Sequence, residues 1–227
     1  MGKPEFLEWL TFNLGPLHVG ATVLTTWLLM AVLTGVAWLG TRCLSLNSPS
    51  RLQTALEGTV LVLQQTIEDA APGHTARLLP FIGTLWLFVA TANLAGLVPG
   101  LRSPTGDLSL TVALAILVFL SVHWFGIRID GLRAYLRHYL DPNPILLPFH
   151  LLGEITRTLA LAVRLFGNMM SLEMAALLVL LVAGFLAPIP LLMLHIVEAL
   201  VQAYIFGTLA LVYVAGALQS HELKHKE

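Results

Sequence analysis

Apolar stretches without Lys, Arg, Asp or Glu alternate along the chain with short charged connections. A helix needs about 20 mostly apolar residues to cross roughly 30 Å of hydrocarbon. The first stretch runs from Trp9 to Thr41, and its apolar part, 17–39, predicts a first span. It exceeds a signal-peptide core, and no small-residue cleavage site follows it. The segments 78–98 and 108–127 predict two more spans. After the turn sequence Asp141-Pro142-Asn143-Pro144 the chain is apolar to Ser220, with Glu154, Arg157, Arg164, Glu173 and Glu198 embedded. The breaker Ala187-Pro188-Ile189-Pro190 divides this region, because a residue before proline is pushed out of the α region. Two long helices follow, 150–187 and 191–218, or roughly 55 and 40 Å at 1.5 Å per residue. Both exceed the bilayer thickness, so a strongly tilted C-terminal hairpin is expected.

In the first connection, 51–70, Leu52, Leu56, Val60, Leu63 and Ile67 recur at helical spacing, which predicts an amphipathic helix. It suits a partner's docking site or a helix lying on the bilayer. The Arg-rich connection 128–141, with Tyr135 and Tyr139, is expected at the membrane interface.

Composition supports one integral membrane domain, 1–227, of the all-α polytopic class. Hydrophobic residues are 57% of the 227-residue chain and charged residues only 11%, against about 25% in soluble domains. Disordered chains have the opposite balance. A net charge of -1 without a basic patch argues against nucleic acid as a partner. A single cysteine, Cys43, excludes an internal disulfide and a cysteine-based metal cluster. Of the 12 basic residues, eight fall in the first and third connections and the C-terminal tail, and only Lys3 and Arg102 on the other side. That bias predicts an outside N-terminus and a cytoplasmic C-terminus.

The last two basic residues, Arg157 and Arg164, lie inside the fourth span. An arginine in mid-membrane costs about 2.5–3.5 kcal/mol on insertion scales and cannot escape by deprotonation. Glu154, Arg157, Arg164 and Asn168 form one helical stripe, and Ser171 rejoins it. Glu173 falls on the opposite face of that helix. On the last helix His195, Glu198 and Gln202 share a face, so Gln202 is expected to meet Arg164 or Asn168 across the hairpin.

Plainer readings stand beside these. Asn168, Ser171 and Gln202 also suit interhelical hydrogen-bond glue. His195 also suits a satisfied interior histidine, and Glu154 with Arg157 an interfacial ion pair with the arginine snorkelling. Glu173 and Glu198 also suit structural partners of other cations. Two ligands at i, i+3 are poor support for a metal site, and neither a metal nor a cofactor is expected. There is no phosphate-binding Gly-x-x-x-x-Gly-Lys-[Ser/Thr], no lysine within a span, and no convincing internal repeat.

The segment Arg164-Leu165-Phe166-Gly167-Asn168-Met169 with Glu173, and Gln202-Ala203-Tyr204-Ile205-Phe206 preceded by His195, resembles subunit a of rotary F-type ATP synthases. Asn93-Leu94-Ala95-Gly96-Leu97-Val98-Pro99-Gly100 and Pro104-Thr105-Gly106-Asp107-Leu108 resemble that family's second span end and following turn. One departure is Leu172, a position usually occupied by a small residue in the family. Thr158 to Val163 with Arg157 also resembles the N-type, sodium-translocating subgroup.

The resemblance implies a non-catalytic stator subunit in a bacterial inner membrane. It would be partnered by a c-subunit ring, the peripheral stalk b subunits and the rest of the ATP synthase complex. It implies two half-channels, with Arg164 facing the ring carboxylates and coupling proton or sodium flow to rotation. Asn168 and Gln202 would hold the guanidinium, and Glu173, His195 and Glu198 would line the outer half-channel. A self-contained secondary transporter using the same buried charges is the alternative.

Overall fold

A computed structural model of the chain describes residues 12–14, 17–42, 51–98, 101, 103–131, 147–184 and 189–222. Six helices carry the architecture: α1 Ala21–Arg42, α2 Arg51–Ala70, α3 Thr75–Ala95, α4 Leu108–Asp130, α5 Leu147–Ala183 and α6 Ile189–Glu222. All except α2 are long and apolar enough to cross a membrane. Helices suit this composition because lipid offers the backbone no hydrogen-bond partner, whereas a helix satisfies its own N–H and C=O groups.

Several boundaries differ from the sequence expectation. Residues 17–19 belong to no span: Leu17–Val19 pairs antiparallel with Phe12–Leu14 as a short hairpin, and α1 begins after Gly20. Three residues, Leu17, His18 and Val19, are too few to distinguish strand from helix. Helix α3 starts before Arg77 and ends at Ala95, with Gly96 as its C-cap, so 96–98 lie outside it. Helix α4 extends to Asp130, where Gly131 caps it at φ 81°. Helix α5 covers Leu147–Ala183 rather than 150–187. Gly184, at φ 84°, follows its last residue, so a left-handed glycine ends it well before the prolines. Pro190 lies in the first turn of α6, where its missing N–H costs nothing. The turn 141–144, Arg133, Tyr135, Arg137, Tyr139, Lys3, Arg102 and both C-terminal lysines lie outside the described residues.

Helix α3 lies at the centre of the packing. Its Leu78, Ile82, Trp86 and Val89 are buried together with Ala203, Phe206, Ala210 and Val214 of α6. Small residues at Ala199, Ala203, Gly207 and Ala210 form a groove on α6 that lets the helices approach closely. A Cβ on Gly207 would sit 1.8 Å from the Trp86 ring, so only glycine fits there. Trp86 Nε1 donates to the Tyr204 carbonyl at 3.1 Å, and the two rings stack at 6.0 Å. Helix α4 contributes Ala115 and Val118, and α5 contributes Leu161 and Leu165, to the same core.

The other two helices are peripheral. In α2, Ile67 is buried and Leu63 packs against the core, while Leu56 and Val60 remain exposed. Helix α1 buries only Thr25 and exposes Trp27, Val32, Val36, Trp38 and Leu39, an apolar surface suited to lipid. Arg42 lies 3.7 Å over the Trp38 ring, an anchor appropriate to the end of a span.

Candidate functional site

Arg164 sits halfway along the 37-residue helix α5 and is exposed on the outer surface of the bundle. Leu161, Ala162, Leu165 and Met169 turn the other side of α5 into the core. The flanking Val163 and Leu159 are exposed and apolar. No carboxylate pairs with Arg164 among the described residues. A permanent cation therefore projects from the middle of an apolar surface.

One turn further on, Asn168 meets α6. Its Nδ2 donates to Gln202 Oε1 at 2.7 Å. Gln202 is buried, and its Nε2 has no partner among the described residues. A guanidinium has only donors, so it cannot satisfy that N–H. If this pair also supports Arg164, it does so through an amide oxygen. Ser171, one further turn along, is exposed on the Arg164 side.

The remaining candidates lie apart from this pair. His195 is buried, and its Nε2 lies 3.2 Å from the Asn93 carbonyl on α3. A carbonyl only accepts, so Nε2 carries the proton. Asn93 Nδ2 donates to the Ala199 carbonyl at 3.2 Å, and Asn93 Oδ1 accepts from Thr105 Oγ1 at 2.7 Å. Ser103 Oγ lies 2.6 Å from Thr105 Oγ1 and donates to the Ala92 carbonyl at 3.0 Å. These contacts tie the end of α3 and the 3₁₀ turn Pro104–Gly106 to α6. Glu173 lies against the same turn from α5: a Cβ on Gly106 would be 3.4 Å from its Oε1. Glu198 is half-buried on α6.

Glu154 and Arg157 occupy different settings although they are three residues apart. Glu154 Oε2 lies 3.3 Å from His123 Nε2 on α4. Arg157 is exposed, 5.7 Å over the Tyr213 ring of α6.

Asp107 caps α4. Its Oδ1 accepts from the Ser109 N–H at 2.9 Å and the Ser109 hydroxyl at 2.7 Å, and its Oδ2 accepts from Thr22 of α1 at 2.8 Å. Burial works against ionisation here, but these donors outweigh it and hold the carboxyl below the ordinary aspartate range.

Sequence reasoning passes over His123 because a count of Lys, Arg, Asp and Glu treats histidine as neutral. Its position within a predicted span is the available signal. Asn93 and Thr105 enter that reading only as motif letters, although a buried asparagine in an apolar span demands partners. No group of three or more His, Cys, Asp or Glu side chains that could hold a metal occurs among the described residues.

The fold and these groups define a polytopic helical membrane protein with a cation on its outer face and two polar seams inside. Comparison with known proteins gives the class a family. The sequence model of the ATP synthase A chain matches residues 23–215. The chain is 67% identical over 213 residues to ATP synthase subunit a 2 of Pelobacter propionicus, covering 94% of this chain and 93% of that one. It is 55% identical over 224 residues to ATP synthase subunit a of Legionella pneumophila strain Paris, covering 99% and 97%. It is 63% identical over 207 residues to ATP synthase subunit a 1 of Hahella chejuensis, covering 91% and 88%. The chain belongs to the ATP synthase subunit a family, the non-catalytic membrane-sector component of the F-type ATP synthase.

Proposed function

We propose that this chain is the ion-translocating stator subunit of its ATP synthase, with Arg164 facing a ring of c subunits that each carry a carboxylate. The observation that carries this reading is the exposed Arg164 at the middle of α5, without a carboxylate partner among the described residues. Such a charge is tolerated in the membrane only where a partner or water supports it. A ring carboxylate passing Arg164 is stabilised in its ionised form and so releases its proton or sodium. The same fixed charge repels ions that would cross directly between the two sides.

On this reading two offset half-channels meet at Arg164. Glu173, Glu198 and His195 line the outer one, near the Pro104–Gly106 turn. Asn168 and Gln202 set the guanidinium's position. The N-terminus is outside and the C-terminus in the cytoplasm of a bacterial inner membrane, as the basic residues suggest. The exposed surface of α1 is left for lipid and the peripheral stalk b subunits.

Cross-linking tests the ring-facing claim. Gly167 is exposed on α5 beside Arg164, and a Cβ there meets nothing within 4 Å. Gly167→Cys should form a disulfide with a cysteine introduced beside the carboxylate of a ring subunit in the assembled complex. A cysteine at Leu181, exposed near the far end of α5, is the comparison position. Absence of a Gly167→Cys cross-link under conditions that oxidise a control pair contradicts the placement.

A further inference from the structure

The side-chain amide of Gln202 calls for an acceptor. Gln202 is 2% exposed, and its Nε2 has no partner among the described residues. A buried donor left unbonded is costly. Arg164 cannot serve, because a guanidinium only donates. The carboxylate one turn earlier on α6 can. Glu198 is four residues before Gln202, so the two side chains are neighbours on one face. Side chains on a helix lean toward its N-terminus, which carries the Gln202 amide back over the turn that holds Glu198. Glu198 is half-buried and makes no hydrogen bond or ion pair with the described residues. Other groups near this turn are engaged elsewhere. His195 Nε2 donates to the Asn93 carbonyl, the Ala199 carbonyl accepts from Asn93 Nδ2, and Glu173 lies against Gly106.

The other side of Gln202 has the matching polarity. Asn168 Nδ2 donates to Gln202 Oε1, which leaves Asn168 Oδ1 without a bond to the described residues. Asn168 is four residues after Arg164 on α5 and leans back over it in the same way. Two amides therefore lie between an ionised carboxylate, which only accepts, and a guanidinium, which only donates. One orientation of the amides serves both ends, with each N–H toward Glu198 and each oxygen toward Arg164. That is the orientation found. Reversed, the pair would set an amide oxygen against the carboxylate and an N–H against the guanidinium, and both ends would repel.

We propose that Glu198 is a positioning residue for Arg164, acting through Gln202 and Asn168 as a hydrogen-bonded chain. The Glu198 carboxylate accepts from Gln202 Nε2, Gln202 Oε1 accepts from Asn168 Nδ2, and Asn168 Oδ1 accepts from the Arg164 guanidinium. Each bond polarises the next, so the carboxylate strengthens the oxygen that meets the arginine. The chain holds the guanidinium in place between the passage of one ring carboxylate and the next. The inference rests on the stator reading and gives Glu198 a role on the arginine in addition to the ion path.

The test is the number of ions pumped per ATP hydrolysed by the reconstituted complex. Glu198→Met keeps the length of the side chain without an acceptor oxygen. It should lower that ratio several-fold, because a loosely held guanidinium lets ions cross uncoupled from the ring. Glu198→Gln retains an acceptor oxygen and should recover most of the ratio. A residue that only lines the path slows pumping and hydrolysis together, so a native ratio in Glu198→Met overturns the inference. An equally low ratio in Glu198→Gln also overturns it, since the acceptor oxygen is then not what matters. An experimental structure of the unmodified complex reads the chain without any variant. A Glu198 oxygen within hydrogen-bond distance of Gln202 Nε2 supports the inference, and any other partner for Nε2, or none, overturns it. Arg164→Ala, measured in the same series, separates the two claims. Coupled pumping by Arg164→Ala removes the stator reading, whereas loss of pumping there with a native ratio in Glu198→Met removes only this inference.

Discussion

At the scale of single residues the chain sorts its polar groups by what they can accept. Arg164 has only donors and faces out, whereas Asn93 uses both ends of its amide and is fully buried. Asp107 is the clearest charge-dependent tie, because one carboxylate caps α4 and holds Thr22 of α1. Its carboxyl lies below the ordinary range when folded, so the unfolded chain binds the proton more readily. The resulting stability is present above the ordinary aspartate range and is lost as pH falls through the folded value. Asp107→Ala should cost about 0.5–2 kcal/mol at neutral pH, the usual worth of an N-cap. Thermal unfolding of the detergent-solubilised complex should show that difference shrinking as the buffer is acidified. A difference that is constant down to strongly acidic pH contradicts the assignment.

At the scale of elements the contact between α3 and α6 is the most extensive among the described helices. It depends on a missing side chain at Gly207, whose backbone the Trp86 ring covers. Gly207→Ala places a methyl group inside that ring, and backbone or indole must move. The expected penalty is about 1–3 kcal/mol, the usual range for overpacking. Tryptophan fluorescence should shift as Trp86 loses its bond to the Tyr204 carbonyl. A variant with native fluorescence and native unfolding temperature shows that the groove is looser than described.

Hydropathy made the spans legible because lipid imposes length and apolarity together. It could not place the end of α5, since the prolines are conspicuous in sequence while the left-handed Gly184 is one glycine among 18. It also read 17–19 as helix, because three residues carry no period. Helical spacing did put Asn168 and Gln202 on facing sides of a hairpin, and they hydrogen-bond in the structure. Spacing along one helix could not reveal that Glu154 meets His123, because that contact depends on the docking of α4.

At the scale of the whole molecule the described helices form a bundle with an unbalanced outer face. The core is closed by α3, α4, α5 and α6, while α1 sits at the edge with an apolar surface. On the outward side of α5, Arg164 stands among exposed apolar residues such as Leu159 and Val163. Membership of the ATP synthase subunit a family gives that face a setting, the membrane sector of a rotary complex. The central claim is that this one guanidinium couples ion passage to the ring. It is tested most directly by ion flux through the reconstituted complex carrying Arg164→Ala, measured beside the unmodified complex. The ring should stay bound while ATP-driven ion transport is abolished. Coupled transport persisting in that variant would contradict that claim.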